Sequence, residues 1–245
     1  MEDDLDANYT LVSDIDASQT AQFNDGRGFD PVGELGDQFT GSFEGNNQTI
    51  TDLTITRPDE ERVGLFGAIE GATLSNVTLE NVTVTGDRDV GGLAGVNDAG
   101  TIRDAKASAS VNGSENVGGL VGNNDGNVTT ATASGNVVAT GDSGSAGGLV
   151  GFNGGTIQNT SAFGSVKTAF DGGGLVGTHA GVIRDSFAAG EVTATDDSAF
   201  LGGLVGFNDG VSVQDSYFDQ RATNQSIAAD NPSNLPSGLN LTTAE

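Results

Sequence analysis

The chain has 245 residues, with 34 acidic against 9 basic side chains, a formal net charge of −25 and no cysteine. Such a charge repels nucleic-acid phosphates and anionic lipid headgroups, so neither is an expected partner. The missing thiols exclude a disulfide framework, a zinc–thiolate centre and a cysteine nucleophile.

An Asp-rich, Lys-poor surface suits a protein that stays soluble in concentrated salt, where screening acts over a few ångströms. Apolar residues at fixed repeat positions speak against disorder. No apolar run is long enough to insert in a membrane, and the start Met1-Glu2-Asp3-Asp4 is unlike a signal peptide.

In chain order, Asn8 to Asp16 reads as a β-rich opening coil, followed by a Gly- and Asp-rich loop from about residue 20 to 38. Then one phrase recurs: Val63-Gly64-Leu65-Phe66-Gly67, Val90-Gly91-Gly92-Leu93-Ala94-Gly95, Val117-Gly118-Gly119-Leu120-Val121-Gly122, Ala146-Gly147-Gly148-Leu149-Val150-Gly151, Gly172-Gly173-Gly174-Leu175-Val176-Gly177 and Leu201-Gly202-Gly203-Leu204-Val205-Gly206. Gly41-Ser42-Phe43-Glu44-Gly45 is a looser first copy. Counted at the Leu or Phe43, the spacings are 22, 28, 27, 29, 26 and 29 residues, a period that signals stacked repeats.

Four residues beyond the motif Leu stands a polar side chain: Asn47, Asn97, Asn124, Asn153, His179 and Asn208, with Ile69 the exception. An aliphatic residue follows (Ile50, Leu74, Ile102, Val128, Ile157, Ile183, Val213). Two residues later comes a mostly Asx position (Asp52, Asn76, Asp104, Thr130, Asn159, Asp185, Asp215). Next is an alternating pair expected inside: Leu53/Ile55, Val77/Leu79, Ala105/Ala107, Ala131/Ala133, Thr160/Ala162, Ser186/Ala188 and Ser216/Phe218.

Period-2 alternation means strand. Three short strands per coil, stacked in parallel, give a rod on the order of 40 Å long for about eight coils. The motif glycines serve corners of positive φ or close approach between coils. The Asn column forms a ladder that His179, the only histidine, joins as a substitute and not as a catalyst. The inward pair is small in the middle and large at the ends, so the core is thin and capped.

At the Gly-Leu-x-Gly cores of these phrases the chain resembles the GLUG repeat family. Phe39 to Asn46 is similar to the segment that commonly precedes such repeats, and Ser216-Tyr217-Phe218-Asp219 through Leu241-Thr242-Thr243-Ala244 to the one that follows. The resemblance implies a module of large secreted or cell-surface proteins, including adhesins and surface peptidases whose catalytic domain lies elsewhere. It brings no catalytic residues. The usual inner Cys and Tyr or Trp are replaced here by Ala, Thr, Ser or Phe187.

The segment before each Gly-Gly varies most and would align Asp87, Asp89, Glu115, Asp142, Asp171, Asp196 and Asp197 along one edge. Stacked carboxylates are hard-oxygen ligands suited to calcium, with Asp142, Asp171 and Asp196 as candidates against a merely solvated edge. Nine Asn-x-Ser/Thr sequons occur, and Asn112, in a variable loop, is the best glycan candidate. No metalloprotease, triad or phosphate-loop motif is present. Arg103 and Arg184, at equivalent positions on two coils, are candidates for a lyase groove. Thr-x-Thr triplets (Thr54/Thr56, Thr83/Thr85, Thr193/Thr195) are expected not to recur on successive coils.

The expectation is an all-β, right-handed parallel β-helix (β-solenoid), with 1–38 as cap and opening coil, 39–219 as repeats and 220–245 as cap or linker. Its expected role is a non-catalytic, cofactor-free adhesive or structural scaffold at the surface of a halophilic archaeon. The alternative is a carbohydrate-binding or carbohydrate-active domain. Expected partners are surface or matrix glycans or proteins and neighbouring domains of a larger surface protein.

Overall fold

The computed structural model describes residues 1, 4–196, 199–209 and 212–229. One turn shows the plan. Asn127–Thr129 lies on a first face, Thr132–Ser134 and Val137–Ala139 on a second, Ser145–Gly147 on a narrow edge sheet, and Val150–Asn153 on a last face. Each pairs in parallel with its counterpart one turn away, so the chain winds as a parallel β-solenoid.

The turn count differs from the expected eight coils of three strands. Among the described residues the first face does hold eight strands, but the edge sheet holds five and the last face six. Six turns therefore close, five of them with a strand on every face; in the first of the six, Val63 holds the edge position through a single bridge to Val90. The third expected strand is broken in two at Gly-Gly-Leu. The incomplete first turn carries two short 3₁₀ segments, Ser18–Gln22 and Asn24–Gly26. The last one ends in a short helix, Gln220–Thr223, capped by Asp219, whose Oδ1 accepts the Arg221 and Ala222 N–H groups.

Alternation sends one aliphatic side chain per turn inward from the first face: Phe43, Leu74, Ile102, Val128, Ile157, Ile183 and Val213, all buried. The second face contributes the expected pairs from Val77/Leu79 to Ser216/Phe218, also buried. Between these faces the chain turns sharply at Asn76, Asp104, Thr130, Asn159, Asp185 and Asp215, all left-handed at φ 45 to 55°. Asn and Asp tolerate that conformation through local hydrogen bonding. Thr130, β-branched, is strained there.

The motif glycines do not supply positive φ; that role belongs to the Asx corner. Close approach explains them instead. A Cβ on Gly91, Gly118, Gly147 or Gly173 would lie 2.7–2.8 Å from the backbone N of the last motif glycine one turn on: Gly122, Gly151, Gly177 or Gly206. A Cβ on Gly119, Gly148 or Gly174 would strike the carbonyl of the same glycine one turn on, and would stand 2.9–3.2 Å from the Cβ of Ala133, Ala162 or Ala188 across the interior. Glycine facing alanine is thus the reason the core is thin. In the last turn Phe218 replaces alanine and its ring fills the space over Gly203. At the other end Phe39, Phe43 and Phe66 pack ring on ring at 5.0 and 5.4 Å.

The opening frame departs from the expected one. Phe43 stacks on Leu74 of the first face and not on the motif leucines. Ile50 stacks on Leu79, and Ile55 on Val84. Asp52 donates its N–H to the Glu80 carbonyl and belongs with Asn81, left-handed like itself, not with Asn76. Asn47 is absent from the ladder; Ile69 and then Phe39 continue that column. These large apolar side chains seal the end of the core, which a polar rung would leave open.

Candidate functional site

Buried polar groups concentrate in one column of the last face. Asn97, Asn124, Asn153, His179 and Asn208 stack in register and are fully buried. Asn97 Nδ2 donates to Asn124 Oδ1 at 2.7 Å, and Asn124 Nδ2 to Asn153 Oδ1 at 2.7 Å. The next contact, Asn153 Nδ2 to His179 Nδ1, is 3.2 Å. Nδ1 must then be the accepting nitrogen, and burial pushes the imidazole down to about 4. A neutral histidine sealed inside a ladder cannot reach substrate, as its register implied.

The acidic edge is more interrupted than the sequence suggests. The residues one place before Val90, Val117, Ala146 and Gly172, which stack, are Asp89, Asn116, Ser145 and Asp171. Asp89 is buried and accepts from Asn116 Nδ2 at 2.8 Å. Burial raises its pKa against the Asn116 hydrogen bond and the charges of Arg62 and Arg88. Glu115 is paired with Arg88 at 2.8 Å.

Asp171 is also buried. Its Oδ2 accepts from Thr178 Oγ1 at 2.7 Å, and that hydroxyl lies 2.7 Å from Ser145 Oγ. Burial raises the Asp171 pKa, the Thr178 bond opposing it. Asp142 and Asp196 are exposed on their own turns and do not join Asp171, and Asp197 lies outside the described residues. Among the described residues no three His, Asp or Glu side chains converge on a metal position.

Other candidates are placed as follows. Asn112 lies not in a loop but half-buried within the strand Lys106–Gly113, beside Thr85 and Val138. Arg103 and Arg184 share a column, but Thr129 and Gln158 intervene, so no basic groove forms. Thr54/Thr56 and Thr83/Thr85 do stack on successive turns, contrary to expectation, because the opening frame is offset; the run ends at Ser110/Asn112.

Phe187, expected to stand for an inner aromatic, faces outward instead, because the inward positions beside it are Ser186 and Ala188, and it belongs to a feature that sequence reasoning missed. On the outer side of the second face, Phe187 and Tyr217 are partners on adjacent turns, and Phe163 stands beside Phe187 at 6.1 Å between ring centroids. Their signal was an aromatic directly after the buried Ser186 and Ser216, hence at an outward position.

The class defined by this geometry is a parallel β-solenoid whose turns are closed by Gly-Gly-Leu-x-Gly and threaded by a buried amide ladder. The model of the GLUG motif matches residues 86–112 and 113–138, and these repeats are GLUG repeats. Halomucin from Haloquadratum walsbyi is 42% identical over 106 residues, covering 42% of this chain and 1% of halomucin. A protein of Evansella cellulosilytica, provisionally named a Gly-rich membrane protein, is 38% identical over 80 residues, covering 32% of this chain and 9% of its own length. The chain thus matches only a small part of either relative.

Among solved structures, a protein of Bacteroides ovatus provisionally named an immunoglobulin A1 protease superimposes with a TM-score of 0.72. It is 20% identical, and the match covers 98% of this chain and 73% of that one. At that identity the likeness concerns the fold.

Proposed function

We propose that the chain is a non-catalytic module of a larger extracellular or surface protein in a halophile, serving as a rigid structural or adhesive scaffold. The observation that carries this reading is where the polar groups are invested. Inside, asparagines and one neutral histidine join turn to turn instead of lining a cleft. Outside, the basic side chains are few, and among the described residues those seen in ion pairs are Arg27, Arg57, Arg62, Arg88 and Arg103, against 34 acidic residues in the chain. A solenoid of identical turns resists bending along its ladders and lengthens by repetition, which suits a spacer.

Similarity to a segment of halomucin, and to a relative named as a membrane protein, supports surface association and adaptation to salt. Among the described residues no helix is long and apolar enough to cross a membrane. Antibodies raised against the module test the location. Labelling of intact source cells or their shed matrix is expected, and labelling only after permeabilisation overturns the reading.

A further inference from the structure

The outer side of the second face changes character along the rod. Its outward column reads Thr78, Lys106, Thr132, Ser161, Phe187, Tyr217. Four hydrophilic residues give way to two aromatics in the last turns, at positions where the fold asks only for a solvated side chain. Tyr217 is 36% exposed, and Phe163 beside Phe187 is 50% exposed. Beyond the corner, Asn159, Asp185 and Asp215 stand on three successive turns. Their left-handed backbones, the Thr160 Oγ1–Ser186 Oγ contact of 3.0 Å and the Ser186 backbone N–H donated to Ser216 Oγ at 3.1 Å draw the corner in. The result is an open groove of about 650 Å³ with an aromatic wall and a wall of amide and carboxylate oxygens.

We propose that this groove, between Phe187 and Tyr217 on one side and Asn159, Asp185 and Asp215 on the other, binds an uncharged oligosaccharide running along the solenoid axis. A purely apolar ligand would desolvate the carboxylates without pairing them. A polyanion is repelled by Asp185 and Asp215 on adjacent turns, in a chain of net charge −25. A neutral sugar satisfies both walls. Its C–H face lies on the rings, which are amphipathic platforms of low entropy cost, and its hydroxyls donate to the oxygens. Successive turns about 4.8 Å apart offer such a chain repeated contacts. The scaffold role needs no ligand, so this goes beyond it and can fail separately.

The test is calorimetry, with tyrosine emission as a second readout, in molar potassium chloride. The probes are hexasaccharides of glucose, mannose and galactose, a galacturonate hexamer and hexalysine. Saturable binding of at least one neutral hexasaccharide is expected. Tyr217→Ala should weaken it at least tenfold at an unchanged melting temperature, Asp215→Asn should weaken it severalfold, and Thr132→Ala should leave it intact. Should Phe187→Ala fail to fold, the two exposed substitutions decide. Absence of neutral-sugar binding, tighter binding of the uronate or hexalysine, or binding that survives Tyr217→Ala would each overturn the proposal. None of those results touches the surface-labelling outcome.

Discussion

His179 makes the ladder sensitive to acid, and the size of the effect follows from its burial. The imidazole titrates near 6.5 when solvated and at about 4 in the folded chain. At neutral pH both states hold it uncharged. Below pH 6.5 the unfolded chain takes up a proton that the folded chain refuses, so stability present above 6.5 is lost as pH falls towards 4. At pH 4.5 the loss is ~2.5 kcal/mol: protonation two pH units below 6.5 favours the unfolded chain by about 2.7 kcal/mol, and partial protonation of the folded chain returns about 0.2.

Asp89 and Asp171 act in the opposite sense. Burial raises their pKa values, so mild acid favours the folded form at those sites. Comparison with His179→Asn removes these shared contributions, and asparagine is the rung used elsewhere in the column. The assay is urea unfolding of both proteins at pH 7.5 and 4.5 in one potassium chloride concentration. The His179→Asn protein should gain ~2.5 kcal/mol on the parent between the two pH values. A difference that stays constant would refute the sealed neutral histidine.

Three further outcomes are expected. Gly148→Ala should destabilise by about 3 kcal/mol, since the methyl group meets the Gly174 carbonyl and Ala162. Gly71→Ala, left-handed at φ 61° but in open space, should cost only about 1 kcal/mol; equal melting shifts would contradict the close-approach account. Asn124→Ala strands a donor of Asn97 and the Oδ1 of Asn153 and should cost about 4 kcal/mol in chemical denaturation, roughly twice Asn97→Ala, which strands only Asn124 Oδ1. The melting temperature should rise from 0.1 to 3 M potassium chloride as screening relieves self-repulsion among 34 carboxylates, and a flat or falling series would remove the salt-adaptation argument.

The solenoid was legible because its constraints repeat. Leu93, Leu120, Leu149, Leu175 and Leu204 meet the same neighbours in every turn, so their spacing alone announced the stack, and the Asn column and inward pairs followed in register. Legibility failed where the repeat is singular. Gly41-Ser42-Phe43-Glu44-Gly45 has the spacing of a motif yet lies one face along the turn, because only pairing with Leu74 distinguishes the two frames. The Gly-Gly corner was placed correctly but explained wrongly in part, since backbone-to-backbone distance has no signature in one sequence. Asp171 could not be told from Asp142, one buried under a threonine bond and the other in solvent, because depth within a variable loop has no periodic signal.

The ladder of side-chain amides has a sense. From Asn97 to Asn153 each rung passes its N–H towards the C-terminal end, and Asn124 and Asn153 receive from the N-terminal side. Whole turns can therefore be gained or lost by recombination between repeats without creating a mismatch, while an inverted turn would set donor against donor. Rod length becomes something genetic drift can tune in steps of one turn, about 4.8 Å each. The large apolar groups that close the ends, Phe39 and Ile69 at one and Phe218 at the other, are the parts that such shuffling must leave in place.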